Sequence, residues 1–160
     1  MSIQYRRANH ADSSIIYRFI CELALFELEP DAVQTSEAII SNQLNQEHPP
    51  FFCELVLVDD EPAGMALCYY SYSTWTGKRS IHLEDLYIAP QYRNRGLAKG
   101  LIHRLIEYAK SEDCARLDWS VLYWNRPAIQ LYEEIGAKPL KEWIGYRMGQ
   151  DEMDFFNKNL

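Results

Sequence analysis

The stretch His82-Leu83-Glu84-Asp85-Leu86-Tyr87-Ile88-Ala89-Pro90-Gln91-Tyr92-Arg93-Asn94-Arg95-Gly96-Leu97-Ala98-Lys99-Gly100 decides the fold. It opens as a strand carrying two adjacent acids, breaks at Pro90, and crosses a basic turn containing Gly96. It then enters an amphipathic helix from Leu97 to Lys110. A strand feeding a turn whose unpaired N–H groups open a helix makes a cradle for phosphate. This turn holds Arg93, Arg95 and Lys99 and no acid, in a chain of formal net charge −7. The local reversal of sign points to an anionic ligand.

Outward from that stretch, 160 residues predict one domain, 1–160, with a full core. The acidic balance argues against nucleic-acid or anionic-membrane binding, both of which favour a basic face. No apolar run reaches the ~18 residues of a membrane span, and Met1 to Arg7 is followed by no apolar leader segment. Cysteines at 21, 53, 68 and 114 form no C-x-x-C pair and have no metal-ligand spacing with histidine. Cys21, Cys53 and Cys68 have apolar neighbours, so buried free thiols, no metal and a reducing, cytoplasmic setting are expected.

Periodicity places a strand at Ile3–Arg7 and a helix capped by Asp12 or Ser13, with Ile16, Phe19, Ile20 and Leu23 on its apolar stripe. Glu27, Glu29 and Asp31 around its end suggest a solvated acidic turn. Thr35 and Ser36 open a second helix, ended by His48-Pro49-Pro50. Two β-rich runs, Phe51–Val58 and Gly64–Tyr72, flank a turn at Asp59–Gly64 and form a hairpin. After a polar loop, Ser73–Ser80, the central strand begins at Ile81. The helix after the basic turn buries Leu97, Leu101, Ile102, Leu105, Ile106 and Ala109. A strand at Arg116–Val121, a short helix from Ala128 to Ile135 stopped by Gly136, and a last strand at Trp143–Met148 complete the chain. The order β-α-α-β-β-β-α-β-α-β predicts an α+β (mixed α/β) domain: a central mixed sheet flanked by helices, with a βαβ unit in its second half.

The phosphate signatures G-x-x-x-x-G-K-S/T and G-x-G-x-x-G are both absent, which disfavours a kinase or dehydrogenase. Arg93-Asn94-Arg95-Gly96-Leu97-Ala98 instead fits the pattern Q/R-x-x-G-x-G/A. With it stand His48-Pro49 before Phe51-Phe52-Cys53, then Tyr69-Tyr70, Tyr72-Ser73-Thr74-Trp75 and Gly77. Leu83-Glu84-Asp85, Trp124-Asn125, Leu131-Tyr132 and Gly136-Ala137 follow in collinear order. On these residues the chain resembles the GCN5-related N-acetyltransferase (GNAT) superfamily. The likeness is strongest to the spermidine/spermine acetyltransferase branch, and within it to the thialysine Nε-acetyltransferase type.

The resemblance implies direct acetyl transfer from acetyl-CoA to an amine in a ternary complex. The backbone of Leu86, Tyr87 and Ile88 would hold the pantetheine and acetyl carbonyl. Arg93, Asn94, Arg95, Gly96, Leu97, Ala98 and Lys99 would hold the pyrophosphate, with Asn125 and Ala128 on the far side. Tyr132 matches the family's catalytic tyrosine; without the Asn125 and Gly136 context it would pass for a helix aromatic packed on the core. Glu84 matches a substrate-binding glutamate, and its carboxylate could relay the ammonium proton through water. Asp85 is a further substrate-binding candidate; strand alternation puts it on the face opposite Glu84, where it would be structural, unless a bulge intervenes. Phe26, Glu27, Trp75, Asp118, Trp119 and Ser120 match further substrate contacts.

Polyamine enzymes of this branch have Asp-Pro-Trp where this chain has Ser73-Thr74-Trp75. That loses one partner for a second ammonium and favours a lysine-like acceptor or a diamine. Polyamine or peptide acetylation, or a non-catalytic acetyl-CoA-binding regulatory module, are the alternatives. The resemblance also implies a homodimer paired through the chain from about Trp143.

Overall fold

Alternating and β-branched runs build five strands: β1 (Ile3–Arg7), β2 (Phe52–Val58), β3 (Glu61–Ser73), β4 (Lys78–Ile88) and β5 (Leu117–Trp119). The computed structural model describes residues 1–160, which form two compact units, 1–120 and 121–160. The first unit holds a mixed sheet in the order β1-β2-β3-β4-β5, antiparallel except for the parallel β4–β5 pair. That pair is joined by α3 (Leu97–Ser111), giving the expected βαβ unit.

Helices cover both faces. On one, α1 (Ser13–Phe26) and α2 (Glu37–Leu44) bury Ile16, Phe19 and Ile40 with Leu55, Met65 and Tyr87 of the sheet. On the other, Leu97, Leu101 and Leu105 of α3 pack with Val56, Cys68, Ile81 and Leu83. Fully burying each such side chain contributes roughly 1.5–3 kcal/mol. Gly100 lets α3 approach β1 closely, because a Cβ there would collide with the Tyr5 hydroxyl. Under α3 the Glu54 carboxylate is fully buried, with Arg7 Nε at 2.5 Å and Arg104 Nη2 at 2.8 Å. The two guanidiniums supply the partners that a buried charge requires.

At the start of α1 the capping differs from expectation. Asn9 caps a 3-10 turn at His10–Asp12 that leads into the helix. Asp12 instead accepts from the Asn9 amide and, at 2.8 Å on each oxygen, from Arg6. The Arg6 hydrogen bonds hold this carboxyl below its usual range. A carboxyl with a depressed folded pKa stabilises the fold above its unfolded pKa, and the contribution disappears as pH falls through the folded value. Asp12→Asn is therefore expected to cost about 1–3 kcal/mol at pH 7. Denaturant melts should show the gap closing in acid; a gap independent of pH would count against the charge.

Several boundaries move. The β2–β3 turn is only Asp59–Asp60, both at positive φ, and β3 already begins at Glu61. Pro62 looks like a turn residue, yet the β2–β3 register slips at Val56/Leu57, where a missing N–H is tolerated. The loop before β4 shrinks to 74–77, since β3 and β4 stay paired out to Ser73 and Lys78. Helix α2 ends at Leu44, before His48-Pro49-Pro50. Ile106 is exposed on α3, and Cys21 is only half-buried, whereas Cys53 and Cys68 are buried; all four thiols are free.

In residues 121–160, α4 (Arg126–Glu134) is followed by α5 (Gln150–Lys158). The segment Trp143–Met148 is not a strand. This unit contains no other strand to pair with it, and Trp143, Ile144, Tyr146 and Met148 are all exposed. No helix is long and apolar enough to cross a membrane.

Candidate active site

The β3–β4 register pairs Leu67 with Asp85 and Cys68 with Leu83, leaving Glu84 as an extra residue on β4. This β-bulge resets the alternation. Ile81, Leu83, Leu86 and Ile88 belong with the α3-side core, while Tyr87 belongs with the α1-side core. His82, Glu84, Asp85 and Tyr87 accordingly share the α1 face. Regular alternation would have put Glu84 and Asp85 on opposite faces; the bulge, the exception the sequence left open, sets them side by side.

A third carboxylate joins them. Glu27 sits at the C-cap of α1, where Leu28 N–H bonds Leu25 O and Glu29 N–H bonds Ala24 O. That closing motif places Leu28 at φ +64°, a left-handed conformation costly for a residue other than glycine. Glu29 and Asp31 are solvated as expected, but Glu27 is half-buried and feels the charge of Glu84. Burial first, then Glu84, push the Glu27 carboxyl up. For Asp85, burial followed by Glu84 and Glu27 raises the carboxyl to about 6. Like charges gathered around a half-buried site disfavour full ionisation and attract a cation.

Beyond Leu83, β4 has no strand beside it on the β5 side, because pairing stops at Leu83–Trp119. The backbone from Leu86 to Ile88 is thus free of a neighbouring ladder on that edge. Further along, Asn94 at φ +60° and Gly96 at φ +76° flank Arg95, an arrangement that forms a nest of N–H groups. Gly96 opens α3 with no side-chain cap, leaving the first-turn N–H groups of Leu97 to Lys99 outside the helix ladder. A Cβ on Gly96 would meet nothing within 4 Å, so the mouth of the nest is open. These groups suit a pyrophosphate. Arg93 faces elsewhere: its Nε donates to Ile88 O at 2.8 Å and its guanidinium lies 5.4 Å from the Phe26 ring. Arg95 donates to Gln91 O at 3.0 Å and lies over Tyr92. A cavity of about 560 Å³ adjoins this region, lined by Phe26, Tyr87 and Arg93 among others.

The remaining expected residues divide. Asp118 lies opposite His82 in the β4–β5 register and pairs with Arg116 at 3.5 Å. Trp119 packs on the α3-side core, away from the acids, and Ser120 is exposed just past β5. Trp75 is exposed at the β3–β4 turn. Leu86 and Ala98 pack their side chains on the α3-side core, so any ligand contact there is through the backbone. In the second unit Asn125 Oδ1 accepts from Ala128 N–H at 3.4 Å, capping α4, on which Tyr132 is half-buried. Sequence reading did not single out His82, whose Nε2 is 3.5 Å from Glu84 Oε2. Its two-residue spacing from Glu84 was the available signal.

The acetyltransferase (GNAT) family model matches residues 17–137. Thialysine N-epsilon-acetyltransferase of Sus scrofa is 36% identical over 163 residues, covering 95% of each chain. The enzyme of that name from Caenorhabditis elegans is 40% identical over 144 residues, covering 88% of this chain and 86% of its own. An integron cassette protein of V. cholerae superposes with TM-score 0.82 at 23% identity, over 99% of both chains. The aminoglycoside N-acetyltransferase AAC(6')-Iy, solved with CoA, superposes with TM-score 0.72 at 16% identity, over 92% of this chain and 95% of that one. The chain belongs to the acetyltransferase (GNAT) family. Within that family its full-length relatives are N-acetyltransferases named for thialysine.

Proposed function

We propose that this chain is an acetyl-CoA-dependent N-acetyltransferase acting on a small primary amine, a thialysine or lysine analogue or a diamine, by direct transfer in a ternary complex. The observation that carries the reading is the bulge that gathers Glu84 and Asp85 with Glu27 beside an unpaired β4 edge. The thialysine relatives support the acceptor class.

Acetyl-CoA, when bound, supplies an activated acyl carbon and a thiol leaving group. The nest at Asn94–Gly96 and the N–H groups of Leu97, Ala98 and Lys99 would hold the pyrophosphate. The Leu86–Ile88 backbone would align the pantetheine arm. A lysine-like ammonium has a pKa of about 10.4, so deprotonating it at pH 7 costs roughly 4–5 kcal/mol. Glu84, the exposed acid, would grip the ammonium, while Asp85, half-buried and raised to about 6, would take up its proton. Tyr132 would donate its phenolic proton to the departing sulfur. The two units would work as one catalytic domain, and the exposed Trp143–Met148 segment would pair subunits in a homodimer. Four free thiols accord with a reducing, cytoplasmic setting.

Purified protein given acetyl-CoA and lysine, thialysine, short diamines or spermidine should release thiol and form an acetylated amine by mass. Thialysine or a short diamine should lead. Thiol release with none of them would refute the assignment.

A further inference from the structure

His82 sits on β4 two residues before Glu84, the carboxylate assigned to grip the acceptor. Its Nε2 lies 3.5 Å from Glu84 Oε2. Its ring is 4.8 Å, centroid to centroid, from the ring of Tyr69, its register partner on β3. Across the sheet on the other side its partner is Asp118 of β5, itself held by Arg116. Asp85, Glu27 from the end of α1, Glu22, which accepts from the Tyr87 hydroxyl at 2.8 Å, and Arg93 beside the Tyr87 ring are further charged groups on this face. The His82 side chain is one-quarter exposed and that of Glu84 more than half. Imidazole therefore stands against Tyr69 and beside the acid that meets the ammonium, and both side chains reach water.

We infer that His82 is a positioning and relay residue for the acetyl transfer, orienting Glu84 and carrying the acceptor's proton from it to solvent. The inference rests on the amine-acetylation reading above. With the ammonium held on Glu84, Asp85 takes the first proton and leaves a neutral amine. The amine lone pair forms the N–C bond as the C–S bond breaks, and the sulfur keeps the bonding electrons and takes the Tyr132 proton. The nitrogen then gives its second proton to a Glu84 carboxylate oxygen; Glu84 passes it to the His82 Nε2 lone pair, the imidazolium releases it to water, and the proton on Asp85 returns through water to the tyrosinate. Imidazole suits this step because it takes and gives protons near neutral pH.

The test compares His82→Phe and His82→Gln with the parent enzyme, using acetyl-CoA and the best amine of the screen over pH 6–9. Phe keeps a ring against Tyr69, and a melt that matches the parent shows that the fold is intact. Both variants should lose ~10-fold in kcat near neutral pH with the amine KM within about twofold, a modest share of the range general acid–base groups supply. Added free imidazole should restore His82→Phe, and the deficit should shrink above pH 8 as water and hydroxide take over. In a Glu84→Gln background, removing His82 should have no further effect. Parent-like kcat in both variants, a loss confined to KM, or additive losses with Glu84→Gln would overturn the relay while leaving the amine-acetylation reading standing. A parent enzyme that acetylates no amine would overturn both.

Discussion

Asp85→Asn is expected to lower kcat about 100-fold with the best amine acceptor and, at the same time, to make the protein more stable at neutral pH. The two effects share one cause. The bulge forces Asp85 into a half-buried place beside Glu84, with Glu27 close enough to add its charge, and its carboxyl is raised to about 6. An acid whose folded pKa lies above its unfolded value favours the native state when protonated. Stability is then lost as pH rises from about 4 through about 6. A shift of about two units corresponds to roughly 2–3 kcal/mol at pH 7.5, which the neutral amide would recover. For a chain of this size that raises the melting temperature by about 5–10 °C. At pH 4, where the acid is protonated in both states, the two melting curves should coincide. Parent turnover in the asparagine variant would show that Asp85 is not a proton acceptor, and a stability gain that persists unchanged at pH 4 would show that it does not come from the raised carboxyl.

This pairing of acids was the feature least legible in the sequence. Residues on a regular strand alternate, so Glu84 and Asp85 were expected on opposite faces. No glycine or proline marks the irregularity. It arises because β4 pairs with β3 in two registers, one from Lys78 to Leu83 and another from Asp85 to Ile88, each burying its own apolar set. Register is a property of two strands and cannot be read from one. Trp143–Met148 fails for the same kind of reason: its composition suits a strand, but a strand exists only beside a neighbour. By contrast, the basic turn and α3 were legible from local physics alone. Gly96 occupies a left-handed position that glycine favours, and Leu97, Leu101 and Leu105 repeat at helical spacing. Arg93 adds something residue type alone does not show: its Nε donates to the Ile88 carbonyl, so the side chain also braces the turn.

Tyr132→Phe is expected to lower kcat about 100- to 1,000-fold while leaving the KM for acetyl-CoA within a fewfold. The backbone around it argues that the loss would be chemical. Asn125 caps the start of α4, Pro127 follows in its first turn, and Gly136 at φ +84° closes the helix. Ala137 N–H bonds Tyr132 O at 3.0 Å and Gly136 N–H bonds Glu133 O at 3.0 Å, the paired bonds of a Schellman ending. Tyr132 is therefore locked by its own carbonyl into the last turn of a short helix capped at both ends. Replacing hydroxyl by hydrogen keeps the ring and those backbone bonds, so the ending of α4 survives the substitution. A thiol has a pKa near ~8.5 and an ordinary phenol near ~10, so proton transfer from a phenol to a thiolate is uphill by only about 2 kcal/mol. Water in the same place is a far weaker acid. If the donor matters, the variant should retain calorimetric CoA binding and lose turnover with good and poor amines alike. An unchanged kcat would take the acid role from Tyr132 and leave α4 with a purely structural part.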